Sequence, residues 1–471
     1  MDYQSTVLAT LVVYKITLIA IGFWCNKRTA NTDEYFIGGR SLGPWVAAIS
    51  AAASASSAWS LLGMSGAAYM LGLSAFWIVP SVILGYSFNW LWLAPRIQRQ
   101  AAVHQSVTLS DYIAQGNKSF YKPILWLSTA CIVISFAFYI AAQFQAAGNM
   151  FAETFQMGND ASIALGTLII LIYTLLGGFW AVSITDTLQG LLMVATAVML
   201  PIAALIVIGG PVELWQQMQL VYTDVQMQWF GEYSGIYALA FILGTLGIGL
   251  GNPGQPHVVN RLMALRDEKA VRQGKYIGIG WSVIIFCSML VVGWSAKVII
   301  SPTANGEQAM ISLAQDVFPP VLAGIVVAAT LSAIMSTADS QLLVSASAIS
   351  YDISSSENRQ SMTLSRITVT AMCLVAMLIA IYAPEDIFSR VLFAWNALGA
   401  AFGPVLIIKL MKRRLKGSYC FIAILSGFSF TVLFSLLPPP PGDILERIVP
   451  FIIAFIIAWV GSKNERGASS S

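Results

Sequence analysis

Apolar segments of membrane-spanning length recur along the whole chain and constrain its fold more than any other feature. We place thirteen, at residues 6–25, 43–71, 74–94, 124–150, 161–180, 184–208, 237–262, 276–299, 321–347, 367–383, 388–410, 418–437 and 448–461. A helix of roughly 20 residues crosses a bilayer, and the chain is 57% hydrophobic but only 10% charged. These features predict an all-α integral membrane protein of about 13 transmembrane helices, with residues 1–471 in a single transmembrane domain.

Basic residues in the loops predict how the chain lies in the membrane. Most of them, including Arg99, Lys269 and Lys412, fall on one side of the thirteen-span arrangement, whereas Glu213 and Asp224 belong to loops on the other side. Because cytoplasmic loops carry an excess of Lys and Arg, we expect a multi-pass protein of the cell (plasma or inner) membrane. Its N-terminus should be outside and its C-terminus cytoplasmic. Four basic residues depart from this pattern: Lys15, Lys297, Arg390 and Arg447.

Several function classes lack the residues that they need. The net charge of +3 gives no indication of a nucleic-acid partner, and the five cysteines contain no CxxC pair. The two histidines, His104 and His257, lie far apart and outside any metal-binding motif. We also find no nucleophile and base with a recognisable spacing, so we predict that the chain is not an enzyme.

Two of the spans have sequences that favour an interrupted helix. The second contains AISAAASASSAWSLLGMSG at 48–66, and the seventh contains GTLGIGLGNPGQP at 244–256, with five glycines and two prolines. A small-residue or glycine-rich membrane helix is often only a packing feature. Paired interruptions at corresponding positions of two halves instead indicate an inverted-repeat transporter with its binding site near the membrane midplane.

The ninth span concentrates oxygen-bearing side chains within an apolar run. Ser336, Thr337, Asp339 and Ser340 lie within little more than one helical turn. Because a carboxylate at the centre of a bilayer is costly, Asp339 must face protein, water or an ion. Hard cations take hydroxyl, carbonyl and carboxylate oxygens, which makes this segment a candidate cation site. The alternative is that the hydroxyls bond to their own helix or join neighbouring helices.

Six motifs, found in order along the chain, carry a resemblance to a known family. They are FIGGRSLGPW (36–45), TLSDY (108–112), YTLLGGFWAVSITDTLQ (173–189), GQPHVVNRLMA (254–264), AIMST (333–337) and FAWNALGAAFGP (393–404). The chain resembles the sodium:solute symporter family, most closely its sodium/proline symporter branch. This resemblance implies a LeuT-type fold of two inverted five-helix repeats, at 43–208 and 237–410, with peripheral helices at 6–25, 418–437 and 448–461.

The resemblance also implies where sodium would bind. One ion would lie between the second and ninth spans, held by the main-chain carbonyls of Ala53, Ser56 and Ala333 and the hydroxyls of Ser336 and Thr337. Some members of the family have a second sodium site, which here would use Asp186, Ser336, Asp339 and Ser340. Asp339 stands where those members have a serine, so this second site would be altered.

Asp186 and Asp339 would bring two carboxylates into one region of low dielectric constant. Both remain ionised at little cost only if a counter-ion lies nearby, since like charges repel. We expect either a second bound sodium or a proton shared by the pair. The alternative is that Asp339 hydrogen-bonds a neighbouring helix or faces cytoplasmic water.

The solute would lie near the two breaks, against Ser57, Trp59, Ser60, Tyr139, Gln143 and Asn252. Three positions depart from the proline branch, because Ala55 replaces an aspartate and Ile248 and Asn252 replace two aromatic residues. We find no unpaired arginine at this depth, so an anionic carboxylate would have to rest on half-helix N-termini. The departures predict that proline itself is a poor ligand.

These features together predict a sodium-coupled secondary active symporter that works by alternating access. It would import a small organic solute, an amino acid of the proline type, as a monomer in the lipid bilayer with sodium as the coupling ion. One alternative is a sodium symporter for another small solute, such as a sugar or an organic acid. An ion channel would need a lined pore or a filter repeat. A membrane sensor would need a cytoplasmic effector domain.

Overall fold

A computed structural model describes residues 3–26, 42–176, 179–300, 306–353, 362–383 and 386–464, so most of the FIGGRSLGPW motif lies outside the described residues. Helices account for nearly all of these residues. In chain order they are α1 Tyr3–Asn26, α2 Pro44–Ala55, α3 Met64–Leu71, α4 Ile78–Phe88, α5 Ala94–His104, α6 Leu109–Ala114, α7 Tyr121–Phe155, α8 Asn159–Leu176, α9 Phe179–Ile208, α10 Pro211–Val221, α11 Gly235–Gly247, α12 Pro256–Met263, α13 Glu268–Ile299, α14 Ala309–Val317, α15 Pro320–Ser347, α16 Met362–Tyr382, α17 Ile387–Leu410, α18 Gly417–Ser435, α19 Ile444–Arg447 and α20 Val449–Val460.

Short 3₁₀ and π turns join several of these helices and redirect the chain. The π turns are Trp59–Gly63, Asn89–Leu93 and Ala348–Ile353, and the 3₁₀ turns are Gly72–Trp77, Ile248–Gly254, Gly306–Gln308 and Pro441–Asp443. Two of these turns, Trp59–Gly63 and Ile248–Gly254, fall inside the second and seventh predicted spans.

The all-α prediction is confirmed. In the described part of the chain, nine helical stretches are long and apolar enough to cross a membrane, and three shorter apolar helices accompany them. Each of the thirteen predicted spans falls on helical structure. One stretch, Trp59–His104, has 46 residues and includes Gly72 at a positive φ of 64°, where the chain bends out of α3. The number of crossings stays a prediction.

Burial separates central helices from peripheral ones that are similarly apolar. The most apolar windows of α15 and α17 are 83% and 89% buried, whereas that of α18 is only 28% buried, although their mean hydropathies are similar. A helix that is apolar all round suits burial in a large protein and contact with lipid equally well. Packing against other helices therefore decides which helices form the centre.

The central helix α15 is enclosed by helices from distant parts of the sequence. It packs against α1, α2, α7, α9 and α16, and the other central helix, α17, packs against α7, α18, α20 and the 3₁₀ turn Ile248–Gly254. Both predicted breaks therefore lie against the two most buried of the nine membrane-length stretches. This arrangement positions the candidate site.

Two short strands join the ends of α17 and α20. β1 (Arg413–Leu415) pairs antiparallel with β2 (Ser462–Asn464), with Arg414 opposite Lys463. The guanidinium of Arg413 lies 4.1 Å from the centre of the Trp459 ring, a cation–π contact. This pairing places the basic segment after α17 beside the segment after α20, which agrees with the prediction that both lie on one side of the membrane.

Candidate ion and solute site

The first break lies between α2 and the π turn Trp59–Gly63. α2 ends at Ala55, and Ser56 leaves the helical conformation with φ −99° and ψ 83°. Side chains satisfy the backbone groups that the break frees: the N–H of Ala58 donates to Oε1 of Gln143 at 3.0 Å, and the N–H of Trp59 donates to Oγ of Ser57 at 3.2 Å. Buried irregular backbone at membrane depth requires such partners. The predicted interruption of the second span is confirmed.

The second break is the 3₁₀ turn Ile248–Gly254. Its freed backbone groups are paired with side chains of neighbouring helices: the N–H of Gly249 donates to Ser81 at 2.9 Å, and the carbonyl of Ile248 accepts from the indole of Trp395 at 3.0 Å. The carbonyl of Asn252 accepts from the amide of Asn89 at 3.1 Å. The predicted interruption of the seventh span is also confirmed, and side chains of neighbouring helices hydrogen-bond its irregular backbone.

The structure brings together four of the residues predicted to hold sodium. The hydroxyl of Ser336 on α15 lies 3.2 Å from the carbonyl oxygen of Ala53 on α2 and 3.3 Å from that of Ala333. The neighbouring hydroxyl of Thr337 lies 3.0 Å from the carbonyl oxygen of Ser54. All of these residues are buried. The last turn of α2 and the middle of α15 thus present carbonyl and hydroxyl oxygens to each other.

Ser56, the fifth predicted residue, lies at the end of this turn. Its N–H donates to the carbonyls of Ala52 and Ala53 at 3.0 and 3.1 Å. Its hydroxyl accepts from the indole of Trp281 at 2.8 Å and lies 3.4 Å from the hydroxyl of Tyr86. These contacts fix the end of α2 from two other helices, α13 and α4.

Asp186 on α9 is the centre of a buried polar network that joins it to the ninth predicted span. Its Oδ2 accepts from the hydroxyls of Ser50 and Ser54 at 2.7 and 3.1 Å and from the guanidinium of Arg261 at 2.7 Å. The same guanidinium donates to the hydroxyl of Ser340 at 2.5 Å. A fixed cation therefore lies between two of the residues predicted to form a second sodium site.

The sequence did not predict this role for Arg261, which counts among the basic residues predicted on the cytoplasmic side of the membrane. The side chain is only 2% exposed and also donates to Ser50 at 2.7 Å and to the carbonyl of His257 at 2.8 Å. A signal was present, because position 261 lies inside the predicted span 237–262. A buried charge needs a partner of opposite charge. Asp186, in the predicted span 184–208, was a candidate partner for Arg261.

Asp339 lies beside this network, next to Ser340, whose hydroxyl accepts from Arg261. It is fully buried, and its Oδ1 accepts a long hydrogen bond of 3.4 Å from the hydroxyl of Ser340. Its Oδ2 has no hydrogen-bond partner among the residues that the structure describes. The charges of Asp186 and Arg261 both act on this carboxylate.

A narrow cavity lies between the two breaks. Three of the residues predicted to contact solute line it: Trp59, Tyr139 and Asn252. The positions that depart from the proline branch, Ala55 and Ile248, also line it. The structure adds lining residues that were not among the predicted solute contacts: Val82, Tyr86, Phe286, Val391, Leu392 and Trp395. The cavity is therefore mainly aromatic and aliphatic, with few polar groups.

The other predicted solute residues lie behind the cavity wall. Ser57 accepts from the hydroxyl of Tyr139 at 3.3 Å, and Gln143 holds the break through its contact with Ala58. The hydroxyl of Ser60 is buried and has no partner among the described residues. The ring of Trp59 lies 5.6 Å from that of Phe286 and 5.7 Å from that of Phe388. Ser57 and Gln143 thus support the break and the wall.

Two broken helices that meet at a buried cavity beside clustered oxygens define the class of secondary active transporters. The sequence model of the sodium:solute symporter family matches residues 35–427 of the chain. The chain belongs to this family, as its motifs predicted. It is a multi-pass membrane transport protein that couples solute movement to sodium.

Characterised relatives are similar to the chain over nearly its full length. The high-affinity proline transporter PutP of Bacillus subtilis is 31% identical over 452 residues, which cover 94% of this chain and 94% of the relative. The osmoregulated proline transporter OpuE of Bacillus subtilis is 29% identical, with 96% and 94% covered. The sodium/proline symporter of Escherichia coli is 32% identical, with 88% and 85% covered.

Solved transporter structures confirm the LeuT-type fold. A substrate-bound, outward-open Na⁺-coupled sialic acid symporter superposes with a TM-score of 0.80 at 18% identity, covering 98% of this chain and all of that chain. Mhp1, a nucleobase-cation-symport-1 family transporter in a closed conformation, gives 0.57 at 13% identity, covering 92% and 95%. These similarities extend to the fold alone.

Proposed function

We propose that the chain imports a small amino acid of the proline type together with sodium, by alternating access. The observation that carries this proposal is the break after α2, because the candidate ion site and the solute cavity share it. Ala53 and Ser54, just before the break, face the hydroxyls of Ser336 and Thr337, while Ala55 and Trp59 line the solute cavity. An ion bound to one side of this short segment would fix the conformation of the other side.

Sodium would be held by the carbonyls of Ala53, Ser56 and Ala333 and the hydroxyls of Ser336 and Thr337. Uncharged oxygens of this kind suit a monovalent hard cation. Each sodium ion that enters carries one charge, worth about 2.3 kcal/mol per 100 mV of membrane potential. Binding and conformational change are the only steps in this proposal, so no catalytic residue is assigned.

The solute would bind between Trp59, Tyr139 and Asn252, with the repeats 43–208 and 237–410 forming the two walls. The names of the relatives support an amino acid of the proline type. Ala55 supplies no carboxylate for a solute ammonium group, whereas Asn252 supplies an amide. We therefore propose that the solute is polar and zwitterionic but that proline itself binds weakly.

We further propose a monomer in the cell membrane, with the N-terminus outside and the C-terminus in the cytoplasm. The sign of the loop charges supports this orientation. Sodium, the solute and surrounding lipid are then the only partners that the transport cycle requires.

Uptake into vesicles containing the purified full chain tests the proposal. Labelled small amino acids, including proline, should accumulate only with an inward sodium gradient, and equal sodium on both sides is the matched control. Uptake without sodium dependence would contradict sodium coupling. High-affinity uptake of proline would instead contradict the inference drawn from Ala55, Ile248 and Asn252.

A further inference from the structure

α1 carries one charged residue in the middle of an otherwise uncharged membrane helix. Lys15 stands about halfway along Tyr3–Asn26, where apolar residues precede and follow it. A lysine at this depth is costly unless it reaches water or a partner of opposite charge. The transport mechanism proposed above gives Lys15 no role, and the positive-inside pattern does not account for it.

The lysine side chain is directed at the ion-binding helix rather than away from it. Nζ of Lys15 contacts Sδ of Met335 on α15, and the adjacent hydroxyl of Tyr14 lies 2.5 Å from that of Ser332. Ser332, Met335 and Asp339 are spaced three and four residues apart, so they form one stripe along α15. Lys15 therefore lies one helical turn from Asp339, on the same stripe.

Asp339 has fewer hydrogen bonds than Asp186, the other carboxylate in this region. Asp186 accepts a charged hydrogen bond from Arg261 at 2.7 Å and two hydrogen bonds from serine hydroxyls. Asp339 receives one long hydrogen bond, and its Oδ2 has no partner in the described part of the chain. The ammonium group of Lys15 lies one helical turn away, in contact with Met335, and makes no direct contact with Asp339 among the described residues.

The four groups comprise two acids and two bases. Asp186 and Arg261 form one ion pair, and Asp339 and Lys15 add one acidic and one basic side chain to the same low-dielectric region. The attraction between opposite charges is strongest where water is excluded. The lysine has a flexible four-carbon stem, so a change of rotamer can move its ammonium group along the stripe.

We propose that Lys15 is the resident counter-cation of Asp339 and that this charge pair fastens the peripheral helix α1 to the ion-binding helix α15. The proposal rests on the proposed function only in treating α15 as an ion-binding helix. The ammonium group of Lys15 then compensates the additional carboxylate, and no second transported ion is needed there.

A double-mutant cycle tests the proposal on the purified full chain in detergent. The variants are Lys15→Met, Asp339→Ser and the double variant, and the measurement is the thermal unfolding midpoint without sodium. Lys15→Met should lower the midpoint markedly because it removes the ammonium group that lies on the same stripe as a buried carboxylate. The double variant should recover most of the loss. Additive effects of the two substitutions would overturn the proposal.

Lys297→Met is the matched control. Lys297 lies at the end of α13 over the rings of Tyr69 and Tyr222. The change in midpoint caused by Lys297→Met should therefore add to the change caused by Asp339→Ser. Equal coupling between Asp339 and both lysines would count against a specific pair. If Lys15→Met alone does not fold, recovery of folded protein in the double variant supports the pair, and failure to recover overturns it.

Sodium titration of the same midpoints provides a second readout. Without the lysine, Asp339 should recruit a cation from solution, so Lys15→Met should gain a sodium-dependent stabilisation larger than that of the parent. The double variant should lack this gain, and its presence there would contradict the proposal. Because this measurement needs no solute uptake, it is distinguishable from a failure of the transport proposal.

Discussion

At the scale of single residues, Ser336 connects the two helices that would share the ion. Its hydroxyl is within hydrogen-bond distance of carbonyl oxygens on α2 and on its own helix, α15. A hydroxyl can donate to one oxygen and offer lone pairs to a cation. The neighbouring Thr337 has a similar position against Ser54. These side chains therefore affect sodium binding and helix contact together.

We predict that Ser336→Ala and Thr337→Ala each raise the sodium concentration for half-maximal uptake. A hydrogen bond or ligand contact to a charged group contributes about 1.5–3 kcal/mol, which corresponds to roughly a tenfold or larger loss of affinity. Ser345→Ala is the control, because its buried hydroxyl bonds back to Gln341 on the same helix. Vesicle uptake at varied sodium measures the effect, and unchanged sodium dependence in both variants would exclude these ligands.

At the scale of elements, the 3₁₀ turn Ile248–Gly254 depends on a close approach to α17. An added Cβ at Gly251 would lie 2.1 and 2.2 Å from ring atoms of Trp395, the residue whose indole bonds to Ile248. The backbone of the turn therefore touches an aromatic wall of the cavity. Only glycine leaves room for that ring.

We predict that Gly251→Ala lowers the thermal unfolding midpoint and weakens solute binding. Overpacking of a buried site costs typically about 1–3 kcal/mol, and the displaced Trp395 lines the cavity. Gly280→Ala on α13 is the control, since no atom lies within 4 Å of its added Cβ. That control should be neutral or stabilising because alanine favours helix. A midpoint that falls equally in both variants would disprove the close-approach argument.

Glu307, outside the spans, connects the segment before α14 to the start of α17. Its Oε1 accepts from the N–H of Phe388 at 3.1 Å, and the ring of Phe388 lies against Trp59. Burial raises the pKa of Glu307 from 4.5 to about 7, an effect that the Phe388 N–H opposes. The folded state thus keeps a proton that the unfolded chain releases between these pH values.

We predict that Glu307 makes stability fall as pH rises from about 4.5 to 7, with no further loss from this group above that range. Glu307→Gln should reduce this slope, since an amide cannot ionise there. Thermal midpoints at a series of pH values measure the effect. Glu268→Gln, at a solvent-exposed carboxylate paired with Arg99, is the control. An unaltered slope in Glu307→Gln would show that another group titrates.

At the scale of the whole molecule, the loop charges and the β1–β2 pairing both indicate that the segments after α17 and α20 lie on the same side of the membrane. Arg414 and Lys463 face each other across the two strands. The loop that contains Asp224 follows α10 and precedes α11, and the predicted orientation places it outside. Lys118, between α6 and α7, should face the cytoplasm.

We predict that a membrane-impermeant thiol reagent labels Asp224→Cys in intact cells but labels Lys118→Cys only after the membrane is opened. Both positions are exposed in the structure. The parent chain, which retains its own cysteines, gives the background. The reverse pattern of labelling would invert the orientation, and labelling of both variants in intact cells would contradict the number of spans between them.

The sequence by itself determined the all-α membrane fold, the two broken spans and the oxygen cluster of the ninth span. These are local properties, because apolar length, glycine and proline content and helical spacing each act within one segment. It also placed Asp186 and Asp339 in one region, through the family resemblance. The cavity-lining positions Trp59 and Tyr139 came from the same source, whereas Asn252 was predicted from its place in the second break.

Only the tertiary structure decided how the charges pair and what closes the cavity. Arg261 meets Asp186 across 75 residues, and Lys15 lies on the stripe of Asp339 across more than three hundred. Trp395 and Phe286 reach the cavity from two other helices. Such contacts depend on the rotation of each helix about its axis and on which helices are neighbours. An apolar helix is stable both in lipid and inside a protein, so its sequence says little about its rotation or its neighbours.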